Sequence, residues 1–208
     1  MRHGETAWNH SGLLQGQTDT ELSETGRAQA HALHDRLADQ TFAAVYSSDL
    51  VRCVETATIA IGDRKISVQT DADLREVHLG RWQGLTFKQA RERWPEEYAQ
   101  VDADPISNAP FGGETRQELQ DRMVRAIRRI ADIHGGADVL VISHGGAMRA
   151  LLTWVVMADL RASRLIEIDN TGICRFDFYD FGPVLISWND VSHMQKSHDP
   201  ASNFTSYA

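Results

Sequence analysis

The run Asp138-Val139-Leu140-Val141-Ile142-Ser143 restricts the fold more than any other part of this sequence. It is apolar without polar–apolar alternation, a pattern typical of a β-strand that is covered on both faces. Strands of this kind occur in parallel sheets that carry helices on both sides. We therefore expect an α/β fold, a three-layer α/β/α sandwich with a mostly parallel central sheet.

Helical and strand patterns alternate along the rest of the chain, which favours the same fold class. Pro95 is expected to interrupt one of the helices. Capping residues are expected at Ser23, at Ser48 or Asp49, and at Thr115, where Glu118 completes a capping box. The predicted helices cover about residues 24–39, 49–62, 86–100, a long stretch after Thr115, and 147–158. The predicted strands cover residues 42–47, 65–69, 138–143, 165–169, 174–179 and 184–188.

Length and composition indicate an ordinary soluble domain. We expect one domain over residues 1–191 and a polar, disordered tail over 192–208. The net charge of −8 argues against a nucleic-acid binder, although a local arginine cluster can still bind phosphate. Only two cysteines occur, no signal peptide is evident, and no apolar run approaches the ~18 residues of a membrane helix. We expect a cytoplasmic protein without a membrane or nucleic-acid partner, and a homodimer is one option for its assembly.

Two histidines, each followed by glycine, stand far apart in the sequence. Arg2-His3-Gly4 opens the chain, and His144-Gly145 follows the apolar run described above. Each motif alone can be explained without a functional site. A terminal Arg-His pair is usually solvated, and one histidine can be a core or capping residue. Together they predict one site, because ligands of α/β sheets sit beyond the carboxyl ends of strands and the helix after His144 favours an anion at its start.

Arg52 is a third candidate residue of the same pocket. It comes just after the predicted strand that ends at Ser47. It could be a surface arginine of a helix, paired with Glu55 or Asp49. Alternatively, its guanidinium group binds a phosphate group through paired N–H donors, for which the geometry of arginine is well suited.

A set of short motifs runs along about residues 1–190. The motifs are Arg2-His3-Gly4-Glu5-Thr6, Leu22-Ser23-x-x-Gly26, Ser48-Asp49-Leu50-x-Arg52, Leu74-Arg75-Glu76, Gly80-x-Trp82-x-Gly84, Gly112-Gly113-Glu114-Thr115 and Ser143-His144-Gly145-Gly146. Each motif is weak alone, but the set and its order are specific. In both respects the chain resembles the histidine phosphatase (phosphoglycerate mutase-like) superfamily.

The resemblance implies a role for each site residue. His3 would be the nucleophile that becomes phosphohistidine, and Glu76 the proton donor. A covalent intermediate divides one difficult displacement into two easier ones, and arginines can stabilise the phosphoryl charge without a metal. We expect no metal and no cofactor. The implied phosphate and substrate contacts are Arg2, Asn9, Gln15, Gly16, Arg52, His144 and Gly145.

The apolar neighbours of Glu76 suggest an environment for its carboxyl. Val77, Leu79 and Trp82 follow it, and burial among such residues would raise the pKa of Glu76 and keep it protonated. A loop glutamate is otherwise most often solvated. His78 is an alternative acid or a residue of the substrate wall.

Details of the motifs favour a phosphatase over a mutase. Members of the mutase branch tend to have a Gly-Trp pair near position 16 and a longer insert after the acid region. Here Gly16 is followed by Gln17, and the segment between Glu76 and Gly113 is short. The stretches 15–23 and 76–86, with Trp188-Asn189, resemble actinobacterial glucosyl-3-phosphoglycerate phosphatases, so the expected substrate is a small phosphorylated metabolite. The alternatives are a cofactor-dependent phosphoglycerate mutase and a non-catalytic member that binds a phospho-ligand.

One departure from the family concerns the start of the chain. Family members carry several apolar residues before Arg-His-Gly, which form a central first strand, whereas Met1 alone precedes Arg2 here. We therefore expect either a native start upstream of Met1 or a first strand that is almost absent, and an added apolar segment would then stabilise the sheet.

Overall fold

The computed structural model describes residues 1–194, so most of the predicted tail lies outside the described residues. The main sheet is parallel, with strand order β2-β1-β3, and its strands are β1 (Ala44–Ser47), β2 (Val68–Thr70) and β3 (Val139–Ile142). An antiparallel hairpin of β4 (Ile173–Tyr179) and β5 (Gly182–Asp190) follows late in the chain. The mostly parallel α/β architecture expected from the sequence is confirmed.

Helices cover both faces of the main sheet. The helices of residues 1–194 are α1 (Ala7–His10), α2 (Glu24–Arg36), α3 (Val51–Ile61), α4 (Phe87–Arg93), α5 (Pro95–Ala103), α6 (Arg116–Ile133) and α7 (Gly145–Val155), and those that cover the sheet are α2 and α3 on one face and α6 and α7 on the other. Neighbouring residues of one strand point to opposite faces. Accordingly Val45 packs with α2 and α3, whereas Tyr46 packs with α6 and α7. The sheet thus separates two apolar cores, as in a three-layer sandwich. No helix among residues 1–194 has the length and apolar character needed to span a bilayer.

The first residues of the chain lie beside the carboxyl end of β3. Arg2 forms an isolated parallel bridge with Ser143, and the His3 backbone N–H donates to the Ser143 carbonyl over 3.0 Å. On the other side, the Arg2 N–H donates to Gly172 and the Arg2 carbonyl accepts from Thr171. Segments about 140 and 170 residues away along the chain therefore hold His3 in place.

Several local predictions were wrong, each because tertiary contacts decided the outcome. Residues 165–169 form no strand. Instead, a 3₁₀ helix, Leu160–Leu165, precedes an extended segment along the pocket. Helix α3 is capped by neither Ser48 nor Asp49. Its N-cap is Leu50, and the Val51 N–H donates to the Asp19 carboxylate at 2.8 Å. The expected break at Pro95 is confirmed, because Pro95 is the first residue of α5.

Candidate active site

A pocket of about 530 Å³ opens at the carboxyl ends of the parallel strands. It contains all the expected site residues except His144, which is completely buried beneath it. The lining residues used below are Arg2, His3, Asn9, Gln15, Gly16, Arg52, Glu76, Arg116, Gly145, Gly146, Arg149, Arg164, Glu167 and Asp169. The folding of distant segments into one pocket was expected from the two histidine motifs.

His3 has the protonation state that a nucleophile needs. Its Nδ1 lies 2.7 Å from the Gly4 carbonyl oxygen, which can only accept, so Nδ1 carries the proton and Nε2 keeps its lone pair. Burial lowers the pKa of His3 well below its usual value, and the nearby Arg52 and Arg2 charges lower it further. The imidazole is therefore neutral at physiological pH and has one basic nitrogen available in a pocket lined by arginines.

Arg52 is fixed before any ligand arrives. Its Nη1 and Nη2 donate to the carbonyls of Thr18 and Gly16, both at 2.8 Å, and its Nε lies 3.3 Å from Nδ1 of His144. The other ring nitrogen of His144, Nε2, lies 2.9 Å from the Ser48 hydroxyl. Burial, followed by the Arg52 charge, lowers the pKa of His144 well below its usual value. The ring of His144 thus supports Arg52, and its direct contact with a phosphoryl group stays a prediction.

Glu76 differs from the expectation drawn from its apolar neighbours. Burial raises its pKa, but hydrogen bonds from backbone N–H groups, that of Gly146 first, and the charges of Arg116 and Arg149 together outweigh burial. Gly146 donates to Oε2 at 2.8 Å and Ala147 to Oε1 at 3.1 Å, while Val77 also donates to Oε1. Since a helix N-terminus stabilises a negative charge, the net pKa of Glu76 is lowered and the prediction of a raised pKa was wrong.

A mostly buried ion pair holds the backbone around Glu76. Arg122 and Glu114 contact each other over 2.5 Å, and Arg122 also donates to the carbonyls of Asp73, Arg75 and Glu76. Removing one partner of such a pair leaves a buried charge without compensation, which typically costs ~3–5 kcal/mol of stability. Arg122 therefore positions Glu76 without reaching the pocket.

The predicted substrate contacts near the first loop occupy different places in the pocket wall. Asn9 completes a capping box, in which its Oδ1 accepts from the Thr6 backbone. Gln15 accepts a hydrogen bond from the Thr20 hydroxyl at 2.8 Å. Gly16 has φ of 53° and gives its carbonyl to Arg52, so its backbone shapes the loop. Their contacts with substrate stay predictions.

His78, the alternative acid, lies away from the pocket. Its Nδ1 accepts from the Gly80 N–H at 3.1 Å, and its side chain is not part of the lining. This placement favours Glu76 over His78 for proton transfer.

Three arginines of the pocket were missed from the sequence. Arg116, Arg149 and Arg164 all line it. Two of them had a usable signal, since Arg116 directly follows the Gly112–Thr115 motif and Arg149 lies one helical turn after Gly145. Arg164 lies in the 3₁₀ helix Leu160–Leu165, directly before the segment 165–169 that was wrongly predicted as a strand, and no sequence pattern identified it.

Comparisons with a family model, with known sequences and with solved structures all indicate the same family. Residues 1–191 match the histidine phosphatase superfamily, branch 1. Phosphoglycerate mutase-like protein 4 of Arabidopsis thaliana is 40% identical over 98% of this chain and 89% of its own length. A metal-independent phosphoserine phosphatase of the same plant is 39% identical over 93% of this chain and 81% of its own. The mycobacterial glucosyl-3-phosphoglycerate phosphatase, solved in complex with VO3, has a TM-score of 0.79 at 33% identity and covers 90% of this chain and 96% of its own.

Proposed function

The chain belongs to the histidine phosphatase superfamily and is a phosphatase, and from this premise we propose a metal-independent phosphomonoesterase that forms phosphohistidine on His3. The observation that carries the proposal is the neutral His3, whose unprotonated nitrogen remains available in a pocket lined by Arg2 and Arg52. Phosphoryl transfer needs in-line positioning and charge stabilisation more than covalent help from other groups. Both arginines are hydrogen-bonded to backbone carbonyls, so little reorganisation is needed.

The reaction has two balanced steps. In the first, His3 Nε2 attacks phosphorus, the P–O bond to the alcohol breaks, and Glu76 gives a proton to the leaving oxygen. In the second, water attacks phosphorus, the P–N bond breaks, and the Glu76 carboxylate takes the proton from that water. The proton then passes from Glu76 to the inorganic phosphate, which leaves as its monoanion, so that His3 is again neutral and Glu76 again ionised.

The proton of the first step arrives with the substrate. Free Glu76 is ionised, because backbone donors lower its pKa. A phosphate monoester still carries one proton below its second pKa of about 6. Binding of this monoanion lets the proton move to Glu76, since the phosphoryl charge beside the carboxylate favours its neutral form.

This proton balance predicts an acidic optimum for kcat/KM. Above about pH 6 the free substrate loses its proton, and kcat/KM for an alkyl phosphate is expected to fall about tenfold per pH unit. His3 remains neutral on the acidic side, because its pKa is well below the usual value. An aryl phosphate, whose leaving group needs little protonation, should show a shallower fall. A flat profile to pH 8 for alkyl substrates would contradict the proton path.

Gly146 leaves space for the carboxylate of Glu76. A Cβ atom at this position would lie 2.4 Å from Glu76 Oε1, so Gly146→Ala must displace the carboxylate from the helix N-terminus. We expect kcat/KM for alkyl phosphates to fall at least about tenfold, because the displaced carboxylate loses part of the ~10²–10⁴-fold contribution of general-acid catalysis. Gly135→Ala is the control, because a Cβ there meets no atom within 4 Å. Equal activity of the two variants would show that Glu76 is not needed at its observed position.

The substrate is proposed as a small phosphorylated metabolite, with glucosyl-3-phosphoglycerate as the leading candidate. Support comes from the solved mycobacterial phosphatase with that substrate name and from the motif details around Gln15 and Glu76. The phosphoserine phosphatase relative makes phosphoserine the second compound to test.

A substrate panel tests the proposed function and separates it from its alternatives. Phosphate release from sugar phosphates, phosphoserine and phosphoglycerate derivatives should occur in excess EDTA. Interconversion of phosphoglycerates that requires a bisphosphoglycerate primer would instead identify a mutase. Ligand binding without any phosphohistidine or phosphate release would identify a binding protein.

A further inference from the structure

The loop of residues 16–19 sets the orientation of Arg52, although most of it lies outside the pocket lining. The carbonyls of Thr18 and Gly16 accept from Nη1 and Nη2 of Arg52, and its Nε donates to Nδ1 of His144. A guanidinium group has five N–H donors. Within the described part of the chain, one N–H on each terminal nitrogen therefore remains for a ligand. A shift of this loop would turn those two donors away from their present direction.

Gln83 holds the first half of this loop from outside the pocket. Its side-chain Oε1 accepts a hydrogen bond from the backbone N–H of Gln17 at 2.8 Å. The Gln83 amide lies so close to the loop that a Cβ atom at Gly16 would come within 2.3 Å of Oε1. Glycine at position 16 thus leaves the space that the Gln83 side chain occupies. Gln83 is half-buried and is not part of the pocket lining.

Asp19 holds the other end of the loop. Its Oδ1 accepts from the backbone N–H of Val51, the first residue of α3, at 2.8 Å. The N-cap residue Leu50 has no side-chain acceptor for this helix end, so Asp19 supplies one. Since Arg52 is the next residue of α3, this contact joins the loop to the helix that carries the phosphate-binding group.

We propose that Gln83 and Asp19 are positioning residues, which hold the loop 16–19 against Arg52 so that its two remaining N–H groups face the phosphoryl group. This inference rests on the proposed phosphatase function and adds to it two residues that lie outside the pocket lining. Preorganised donors stabilise a transition state only while they keep their direction. Small displacements that begin away from the reacting atoms therefore lower the rate.

The same loop also contacts the backbone of the acid, which offers a second route for its effect. The side-chain Nε2 of Gln17 donates to the Glu76 carbonyl at 3.0 Å. The two routes differ in their dependence on substrate. Arg52 binds the phosphoryl group of every substrate, whereas the acid matters most for alkyl phosphates, whose leaving groups are strongly basic. An effect that acts through Arg52 therefore lowers activity on alkyl and aryl phosphates equally.

A matched pair of variants at Asp19 tests the contact with α3. Asp19→Asn and Asp19→Ala both lack the charge, but only asparagine keeps a side-chain oxygen for the Val51 N–H. The effect of charge on anion binding thus cancels in the comparison. We expect Asp19→Ala to bind inorganic phosphate roughly 3- to 10-fold more weakly than Asp19→Asn, the net contribution of one hydrogen bond. Isothermal titration calorimetry measures both affinities, and equal values would overturn the role of Asp19.

Gln83→Met tests the other end of the loop, because methionine keeps the length of the side chain and removes the amide oxygen. We expect its affinity for phosphate, and its kcat/KM for alkyl and aryl phosphates alike, to fall roughly 3- to 10-fold. Gln100→Met makes the same change at an exposed position of α5 outside the pocket lining and should leave all three values unchanged.

The dissociation constant is read from the shape of the titration, so a fraction of unfolded protein does not alter it. Unchanged phosphate affinity in Gln83→Met would overturn the role of Gln83, and a greater loss on alkyl than on aryl phosphates would assign the effect to Glu76 instead of Arg52. If Gln83→Met does not fold, the Asp19 pair decides the proposal. Phosphate binding without phosphate release by the unmodified protein would contradict the phosphatase, while the affinities of the variants would still decide the positioning.

Discussion

Replacing His3 with alanine is expected to lower kcat at least about 10⁴-fold, because loss of an enzyme nucleophile can cost as much as ~10⁶-fold. During turnover the unmodified protein should carry acid-labile phosphate, and the variant should carry none. Rapid quenching with a ³²P-labelled substrate measures this directly. Wild-type-like activity in His3→Ala would contradict the covalent mechanism.

The fold should survive the substitution, although some stability will be lost. The His3 ring is buried against the ring of His144, with centroids 5.1 Å apart, so alanine leaves a small cavity. His3→Asn is the companion variant, since its amide can still donate towards the Gly4 carbonyl. His31→Ala, an exposed histidine of α2, controls for the loss of an imidazole and should remain active. An unfolded His3→Asn would shift the test to phosphohistidine trapping on the unmodified protein.

Replacing Glu76 with glutamine is expected to slow hydrolysis most on substrates with poor leaving groups. The alkoxide of a sugar or glycerate phosphate needs a proton as the P–O bond breaks, and this help is worth ~10²–10⁴-fold. A nitrophenolate leaves with far less assistance. The loss in kcat/KM should therefore be at least about tenfold greater for the alkyl phosphate than for the aryl phosphate.

The contacts of Glu76 make this comparison of two substrates essential. Both carboxylate oxygens accept backbone hydrogen bonds, from Gly146, Ala147 and Val77. The glutamine amide nitrogen would face one of those N–H groups, so the side chain must shift. Damage to positioning lowers activity on both substrate classes equally, whereas loss of the acid separates them. An equal loss would therefore contradict the acid role, and no loss would assign it to another group.

The parts of the site that were predictable from the sequence are those encoded in short motifs. Arg2, His3 and Arg52 each lie within a few residues of a glycine or of a strand end, and these neighbours place them in the pocket. Likewise, the unbroken apolar run ending at Ile142 predicted a strand of a parallel sheet, and the structure confirms it, since β3 pairs in parallel with β1.

The parts that were missed depend on residues distant in the sequence. Much of the lowering of the Glu76 pKa comes from groups distant in the sequence, such as the Gly146 N–H 70 positions away, which no local pattern around Glu76 reveals. The cap of α3 comes from Asp19, about 30 positions before it. The segment 165–169 has strand-like residues but lies along the pocket instead of pairing in the sheet. In each case a tertiary contact outweighed the local preference.

The position of Arg2 and His3 between Ser143 and Thr171–Gly172 has a consequence for the folding of this enzyme. The backbone groups of Arg2 and His3 are hydrogen-bonded to segments that are synthesised much later, so this side of the pocket closes through contacts of very large sequence separation. Such contacts form late, because closing a long loop is entropically unfavourable until other packing supports it. We therefore expect amide exchange at His3 to require global unfolding, and a nascent chain to have no activity until residue 172 has left the ribosome.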